Sequence, residues 1–136
     1  MFTAINVSTS ALVAQRVRLN SISNNIANIS TTRNEAGLPE AYQPRYVVFQ
    51  TDTSLGGPAG AAGVRVSSVE TEEGQPRLKY DPTHPDADKN GYVAYPDIDL
   101  TTQFVDSLEA SRAYEANIGL IEISKDLFQQ SFRILA

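Results

Sequence analysis

Apolar residues recur every seven positions near the N-terminus of the 136-residue chain. The main series is Ile5, Leu12, Leu19 and Ile26, and its companion positions three residues later are Ser8, Gln15, Ile22 and Ile29. A sustained seven-residue period is typical of a helix that packs lengthwise on another helix. It predicts a helix over residues 3–29. Because its first companion positions are polar, we expect this helix to be marginal when isolated.

A second and longer helix is predicted over residues 98–135, with Asp97 or Asp99 capping its first turn. Three seven-residue series run along it: Phe104, Ser111, Ile118, Lys125 and Phe132; Ser107, Tyr114, Ile121, Phe128 and Leu135; Leu120, Leu127 and Ile134. The apolar arc therefore widens toward the C-terminus. A helix that is apolar over much of its circumference needs several neighbours. The middle of the chain, other copies or other proteins must cover it.

Between the helices, β-branched and aromatic residues with partial alternation predict strands. The strand candidates are "YQPRYVVFQ" (42–50), "GVRVSSVE" (63–70), "PRLKYD" (76–81) and "GYVAY" (91–95). The stretch "LGGPAGAAG" (55–63) indicates a flexible, glycine-rich connector. The chain thus divides into an N-terminal helical segment, a β-rich insertion and a C-terminal helical segment, covering residues 1–33, 34–96 and 97–136.

Composition and charge narrow the classes of function. Apolar residues make up 41% and charged residues 20%, so the chain is neither disordered by composition nor membrane-embedded. No cysteine is present, so packing or partners must supply the stability. A net charge of −5 argues against nucleic acid as the main partner.

The charge is unevenly distributed along the chain. Residues 1–34 contain Arg16, Arg18 and Arg33 and no acidic residue, which gives +3. The remainder contains eight basic and 16 acidic side chains, which gives −8. The two parts are therefore complementary in charge, although solvated faces without special pairing account for the same pattern.

The N-terminal stretch "MFTAINVSTSALVAQ" has no basic region followed by an apolar run of about 7–15 residues, as a secretory signal would. No stretch approaches the ~20 apolar residues that a membrane span needs. We therefore expect no membrane insertion, and we expect any export to use a route other than the ordinary signal peptide.

The segment "DADKNGYVAYPD" (86–97) matches part of a calcium-binding loop. Its oxygen-bearing residues at positions 1, 3, 5 and 12 of such a loop are Asp86, Asp88, Asn90 and Asp97. The aspartate at the last position is shorter than the usual glutamate, and two prolines preceding the loop remove the entering helix. The competing interpretation is a turn at Asn90-Gly91 from which a strand departs.

No catalytic constellation is visible in the sequence. His84 is the only histidine, and without cysteine or a second histidine it cannot complete a zinc site. No nucleophile motif accompanies it, so a surface turn residue between two prolines is the simpler interpretation. An enzyme using His84 with nearby aspartates stays as a rival hypothesis, and no cofactor is implied.

Several stretches carry a resemblance to a known family. "LNSISNNIANISTT" and "SRAYEANIGLIEISKDL" resemble the paired terminal signatures of bacterial flagellar axial proteins, which build the rod, the hook and the hook junctions. In the middle, "YQPRYVVFQ", "GVRVSSV" and "HPDADKNGYVAYPDID" are similar to the proximal-rod subunits of that family. The "DID" in the last stretch is a small departure from the asparagine-containing variant usual there.

The resemblance implies a fold and a function. The fold would be α+β, with long terminal helices paired as an antiparallel coiled coil around a small β-rich insertion. The protein would be a non-catalytic subunit of the flagellar rod, exported by the flagellar type III apparatus and assembled in the periplasm. Its partners would be other copies, other rod proteins and the rod-to-ring junction protein. The expected packing residues are Ile5, Leu12, Leu19, Ile26, Tyr114, Ile118, Ile121 and Phe128.

Asn24, Asn25 and Asn28 interrupt the last turns of the first helix, although asparagine is a mediocre helix former. One hypothesis is a polar lock, in which the amides join the helix end, the following loop and neighbouring subunits. An amide with all its bonds made fixes register, whereas an unpaired one costs about 1–3 kcal/mol. The alternative is ordinary termination of the helix at Asn28. The resemblance favours the lock.

Overall fold

The computed structural model describes residues 2–55 and 60–135, so residues 56–59 of the predicted connector lie outside the described part. The elements in chain order are α1 (Phe2–Ala27), β1 (Arg45–Asp52), a 3-10 turn (Thr53–Leu55), β2 (Gly63–Thr71), β3 (Arg77–Tyr80), β4 (Tyr92–Tyr95) and α2 (Leu100–Leu135). The two predicted helices and four predicted strands are all present, with ends that differ by three residues or fewer.

The two helices pack side by side and run in opposite directions. Near the end of α1, the Asn25 side-chain amide donates a hydrogen bond to Gln103, close to the start of α2. Earlier in α1, Arg18 forms ion pairs with Asp106 and Glu109, both at 3.3 Å. Residues near the end of α1 therefore contact residues near the start of α2, and earlier residues of α1 contact later residues of α2. This confirms the predicted α+β fold with antiparallel terminal helices.

The helices differ in length, with 26 residues in α1 and 36 in α2. The C-terminal end of α1 lies beside the N-terminal end of α2, where Asn25 contacts Gln103. About ten residues at the C-terminal end of α2 therefore extend past the N-terminal end of α1, a distance of roughly 15 Å. Every side chain from position 125 to position 134 is exposed. We call residues 125–134 the overhang. No element among the described residues covers it.

The insertion consists of two antiparallel hairpins. In the first, the register runs from Arg45 opposite Thr71 to Asp52 opposite Gly63, and a bulge leaves Ser67 without a partner. In the second, four residues of β3 pair with four of β4. A two-stranded hairpin is marginal on its own in water, so the first hairpin depends on its packing against α1.

Hydrogen bonds fasten both ends of the first hairpin to α1. At one end the Ser10 hydroxyl accepts the Val64 N–H at 3.1 Å, and at the other Asn25 bonds to the backbone of Arg45. Fifteen helical residues cover about 22 Å, and seven steps along a strand cover about 23 Å. The strands and the helix therefore match in length. Gly63 permits the close approach, because an added Cβ would lie 2.9 Å from the Ser10 hydroxyl.

The buried core is small and partly polar. Its apolar members are Ala14, Ile22, Val93, Ile98 and Ala110, and its polar members are Ser8, Ser21 and Asn25. Among the less exposed positions of α2, one series follows a seven-residue repeat and is mostly small or polar: Gln103, Ser107, Ala110, Tyr114, Asn117, Ile121 and Ser124. The large apolar side chains of α2 therefore lie mainly on faces that α1 does not cover.

Asp99 caps α2. Its carboxylate accepts the Thr101 and Thr102 N–H groups and the Thr102 hydroxyl. Of the two candidates for the cap, Asp97 is instead exposed and lies 4.0 Å from Arg77. The Thr102 hydroxyl bond and the backbone bonds lower the pKa of Asp99, which stabilises the charged form that favours a helix N-terminus. Neither α1 nor α2, over the positions described, is long and apolar enough to cross a membrane.

Candidate functional site

The side chain of Asn25 is the centre of a polar junction between three segments of the chain. Its amide nitrogen donates to the Arg45 carbonyl at 2.8 Å and to Gln103 Oε1 at 3.2 Å. Its amide oxygen accepts the Arg45 N–H at 2.8 Å and the Tyr42 hydroxyl at 3.2 Å. These four hydrogen bonds occupy every donor and acceptor position of the amide, whose residue is only 3% exposed.

Two neighbours strengthen this junction. Ser21, one helical turn before Asn25, donates its hydroxyl to the same Arg45 carbonyl at 2.9 Å. Burial raises the pKa of Tyr42, and the Arg45 charge opposes that rise only in part. The phenol therefore keeps the proton that it donates to Asn25. The junction fixes helix, loop and strand relative to one another.

The three asparagines have different roles. Asn28 lies just past the end of α1, where its side chain donates to the Asn24 carbonyl at 2.9 Å and accepts the Thr31 hydroxyl at 3.1 Å. This is the geometry of helix termination. The Asn24 side chain is exposed and forms no hydrogen bond within the described residues. Asn25 thus joins the helix end to the following loop and to α2 within one chain, and Asn28 has the contacts of a helix end. A lock that also involves neighbouring subunits stays a prediction.

The eight expected packing residues occupy two kinds of environment. The α1 series Ile5, Leu12, Leu19 and Ile26 is half-buried, as are Tyr114 and Ile121 on the face of α2 toward α1. Ile118 is 37% and Phe128 38% exposed. Phe128 packs edge-on against Phe132 in the overhang, with ring centroids 4.5 Å apart. Part of the set supports the helix pair, and part is presented outward.

A further set of exposed apolar residues forms an ordered stripe along α2. We call it the outer seam: Leu120, Ile123, Leu127 and Ile134, which are between 53% and 85% exposed. Successive members lie three, four and seven residues apart, which is the spacing of a coiled-coil contact line. The sequence series of Leu120, Leu127 and Ile134 indicated this line. Ile123 also belongs to the outer seam, and this was recognised from its exposure in the structure.

Two of the carboxylates proposed as calcium ligands, those of Asp86 and Asp88, accept hydrogen bonds from the protein itself. Asp86 accepts the Thr32 hydroxyl at 2.7 Å and is paired with Arg33. The Thr32 hydrogen bond, with help from Arg33, lowers the pKa of Asp86, and burial opposes it only in part. Asp88 accepts the backbone N–H groups of Asn90 and Tyr92 at 2.8 and 2.9 Å. The described residues contain no cluster of three or more His, Asp or Glu side chains suited to a metal ion.

The same contacts confirm the turn interpretation of this loop. Gly91 has φ of +83°, a conformation that other residues rarely adopt, and β4 begins at the next residue. His84 accepts the Asp86 N–H through Nδ1 at 3.1 Å and packs edge-on against Tyr95. These two contacts hold the His84 ring against the loop.

The charge complementarity of the sequence appears as specific ion pairs. Arg18 pairs with two acidic residues of α2, and Arg33 pairs with Asp86. Arg16 is exposed and forms no ion pair within the described residues. Two of the three arginines of the N-terminal segment therefore link it to the acidic remainder.

These features define a class of protein. Two paired terminal helices with uncovered apolar surface and a small, polar inner core are typical of a subunit that completes its burial by association. A family model described as flagella basal body rod protein matches residues 5–33, and one described as the C-terminal domain of the flagellar basal body rod FlgEFG proteins matches residues 89–134. The matches at both ends of the chain thus indicate a flagellar rod protein.

Relatives that match over nearly their full length show which rod protein family the chain belongs to. Flagellar basal-body rod protein FlgC of Borreliella burgdorferi is 40% identical, over 99% of this chain and 97% of its own length. The FlgC proteins of Bacillus subtilis and Salmonella typhimurium are 35% and 36% identical, over 98% and 95% of this chain and 97% and 93% of their own lengths. The chain belongs to the flagellar basal-body rod protein FlgC family. It is a structural subunit of the flagellar rod.

Proposed function

We propose that this chain polymerises through its terminal helices into the proximal rod, the part of the drive shaft nearest the motor. The observation that carries the proposal is the outer seam, a coiled-coil contact line for which the described residues offer no partner helix. A neighbouring subunit supplies that helix in the rod. Torque then passes through many buried apolar contacts rather than through one site.

The energetics favour association at this seam. Burying a large apolar side chain is worth about 1.5–3 kcal/mol in full, and the four seam residues are each more than half exposed. Their combined contribution is several kcal/mol per subunit, repeated along a polymer. The inner face of α2, with its small and polar side chains, offers much less. The helix pair is therefore completed by its neighbours.

The expected packing residues divide between these two tasks. Tyr114 and Ile121, with the half-buried α1 series, hold the two helices of one subunit together. Ile118 and Phe128 contribute to the contact with neighbouring subunits. The lock at Asn25, with Asn28 behind it, sets the angle at which the first hairpin leaves the helices, so that the insertion meets the next subunit in a fixed orientation.

The remaining proposals concern route and partners. Export through the flagellar type III apparatus to the periplasm requires a chain that unfolds readily, and the small, partly polar core fits that requirement. The partners that we propose in the rod are further copies, other rod proteins and the rod-to-ring junction protein.

A charge placed in the seam tests the proposal. Leu127→Asp puts a carboxylate in the contact line, whereas Gln129→Asp puts the same charge on another exposed face of the overhang. Each variant is expressed in cells that lack the wild-type chain, and swimming and the chain content of purified basal bodies are measured. We expect Leu127→Asp to abolish both and Gln129→Asp to preserve both. Normal incorporation of Leu127→Asp would refute assembly through the seam.

A further inference from the structure

A small closed loop after α1 holds one leucine in a fixed, exposed position. In residues 34–40, the Leu38 N–H donates to Asn34 Oδ1 and the Leu38 carbonyl accepts the Asn34 N–H, both at 3.0 Å. The Gly37 N–H donates to the Asn34 carbonyl at 2.9 Å, with φ of +75° at Gly37. The Asn34 amide nitrogen also donates to Glu40 at 2.7 Å. The backbone of Leu38 is therefore held on both sides.

The side chain of Leu38 is 61% exposed at the end of this loop. A single exposed leucine is ordinary on a protein surface. A leucine on a backbone fixed by several hydrogen bonds is different, because little conformational entropy remains to be lost when it binds. Leu38 has the properties of an anchor for a partner's pocket.

The same chain carries a cleft with an apolar floor on its surface. Its volume is about 630 Å³. The apolar lining consists of Ile29, Leu78, Tyr95, Pro96 and Ile98, and the polar lining includes Arg77, Lys79 and His84 but no carboxylate. Leu78 is 66% exposed and Ile98 only 4%, so the cleft has an open apolar rim and a buried apolar floor. Leu38 is not part of this lining.

The loop and the cleft are opposite in charge. Residues 34–40 contain Glu35 and Glu40 and no basic residue, whereas Arg77 and Lys79 flank the cleft. Arg77 lies 4.0 Å from Asp97, whereas Lys79 forms no ion pair among the described residues and is therefore the basic side chain available to an incoming acidic loop. An acidic loop with an apolar tip fits a basic-rimmed apolar cleft in both respects.

We propose that Leu38 of one copy inserts into this cleft of a second copy, with Glu35 facing Lys79. Because the two surfaces differ, the contact is heterologous, and such contacts propagate into helical arrays unless the rotation closes a ring. The proposal rests on the proposed function in that copies must adjoin in the rod. It goes beyond it by placing a subunit contact outside the terminal helices.

Cysteine cross-linking tests the contact directly, since the chain has no cysteine of its own. Full-length copies carrying Leu38→Cys and Lys79→Cys, each with a different tag, are co-expressed in cells that lack the wild-type chain. Basal bodies are purified and oxidised. The control replaces Lys79→Cys by Lys89→Cys, another exposed lysine that does not line the cleft. We expect a disulfide-linked dimer containing both tags with Lys79→Cys, at a yield about tenfold or more above the control.

The proposal is wrong if the chain is present in basal bodies but the two yields are equal or no mixed dimer forms. Absence of the wild-type chain from basal bodies would instead refute the proposed function, so the two failures are distinguishable. If the cysteine variants do not incorporate, Leu38→Asp and Leu38→Met decide the matter, because neither change affects a buried group. Leu38→Asp should lower incorporation about tenfold and Leu38→Met should preserve it. Equal incorporation of the two would overturn the proposal.

Discussion

Asn25 and Arg45 are joined by two hydrogen bonds of 2.8 Å, both from one side-chain amide to one residue's backbone. The amide offers a donor and an acceptor side by side, as a neighbouring strand would. It thereby pairs with the first residue of β1 where the helix ends. The start of the hairpin is therefore set by a side chain of α1.

The first prediction concerns this pair. Asn25→Ala leaves the Arg45 N–H without its side-chain partner and removes one of the two donors to the Arg45 carbonyl, to which Ser21 still donates. The expected cost is about 1–3 kcal/mol. Asn24→Ala is the matched control, because Asn24 is exposed and its side chain is unbonded among the described residues. We expect it to change stability by less than about 0.5 kcal/mol. Urea unfolding measures both, and equal losses in the two variants would show that Asn25 has no special role.

The second prediction separates the two candidate caps of α2. Asp99→Ala removes the acceptor for two N–H groups of the first turn, a loss of about 0.5–2 kcal/mol. Asp97→Ala removes only an exposed ion pair with Arg77 at 4.0 Å, worth about 0–1 kcal/mol. Thermal unfolding followed by circular dichroism should show the larger decrease for Asp99→Ala. A larger decrease for Asp97→Ala would mean that the helix begins earlier.

The third prediction concerns pH. The Thr32 hydrogen bond is the main cause of the lowered pKa of Asp86. A carboxylate whose folded pKa is depressed contributes stability above its unfolded pKa of about 3.9, and this is lost as the pH falls through the folded value. Thr32→Val should therefore raise the pKa of Asp86 and destabilise the protein at about pH 7 more than at about pH 3.

NMR titration of the Asp86 carboxylate and unfolding at the two pH values provide the measurements. Thr101→Val is the control, since the Thr101 hydroxyl forms no hydrogen bond within the described residues. An unchanged Asp86 titration in Thr32→Val, or the same loss of stability at both pH values, would contradict the assignment.

The fourth prediction tests the contact between the first hairpin and α1. Gly63→Ala would place a Cβ 2.8 Å from a methyl carbon of Leu55 and 2.9 Å from the Ser10 hydroxyl. Overpacking of this kind costs about 1–3 kcal/mol. Gly74→Ala, with no atom within 4 Å of the added Cβ, should leave stability nearly unchanged. Chemical unfolding that ranks the two variants in the opposite order would mean that β2 does not approach α1 closely.

The sequence predicted the elements of the fold well, because each depends on a local pattern. The seven-residue series marked both helices, and the alternation in the insertion marked all four strands. The Asn90-Gly91 turn was also predictable, since it needs only one residue with positive φ. The pairing of the helices followed from the family resemblance, and the ion pairs of Arg18 are the contacts that support it.

The site was only partly predictable, because its contacts join residues distant in sequence. That Asn25 rather than Asn24 would be buried depends on where the first hairpin lies against α1. Asp86 has the spacing of a metal ligand, but its partners Thr32 and Arg33 lie 54 and 53 residues earlier. Ile118 and Ile121 belong to equally regular series, and only the packed helices show that the first is more exposed than the second.

The central claim is that the uncovered end of α2 becomes buried when subunits assemble. Hydrogen exchange of the peptide covering residues 125–135, compared between the isolated chain and the chain in purified rods, measures this most directly. We expect rapid exchange in the isolated chain, where residues 125–134 are exposed, and strong protection in the rod. Equal exchange in the two states, whether fast or slow, would contradict the account.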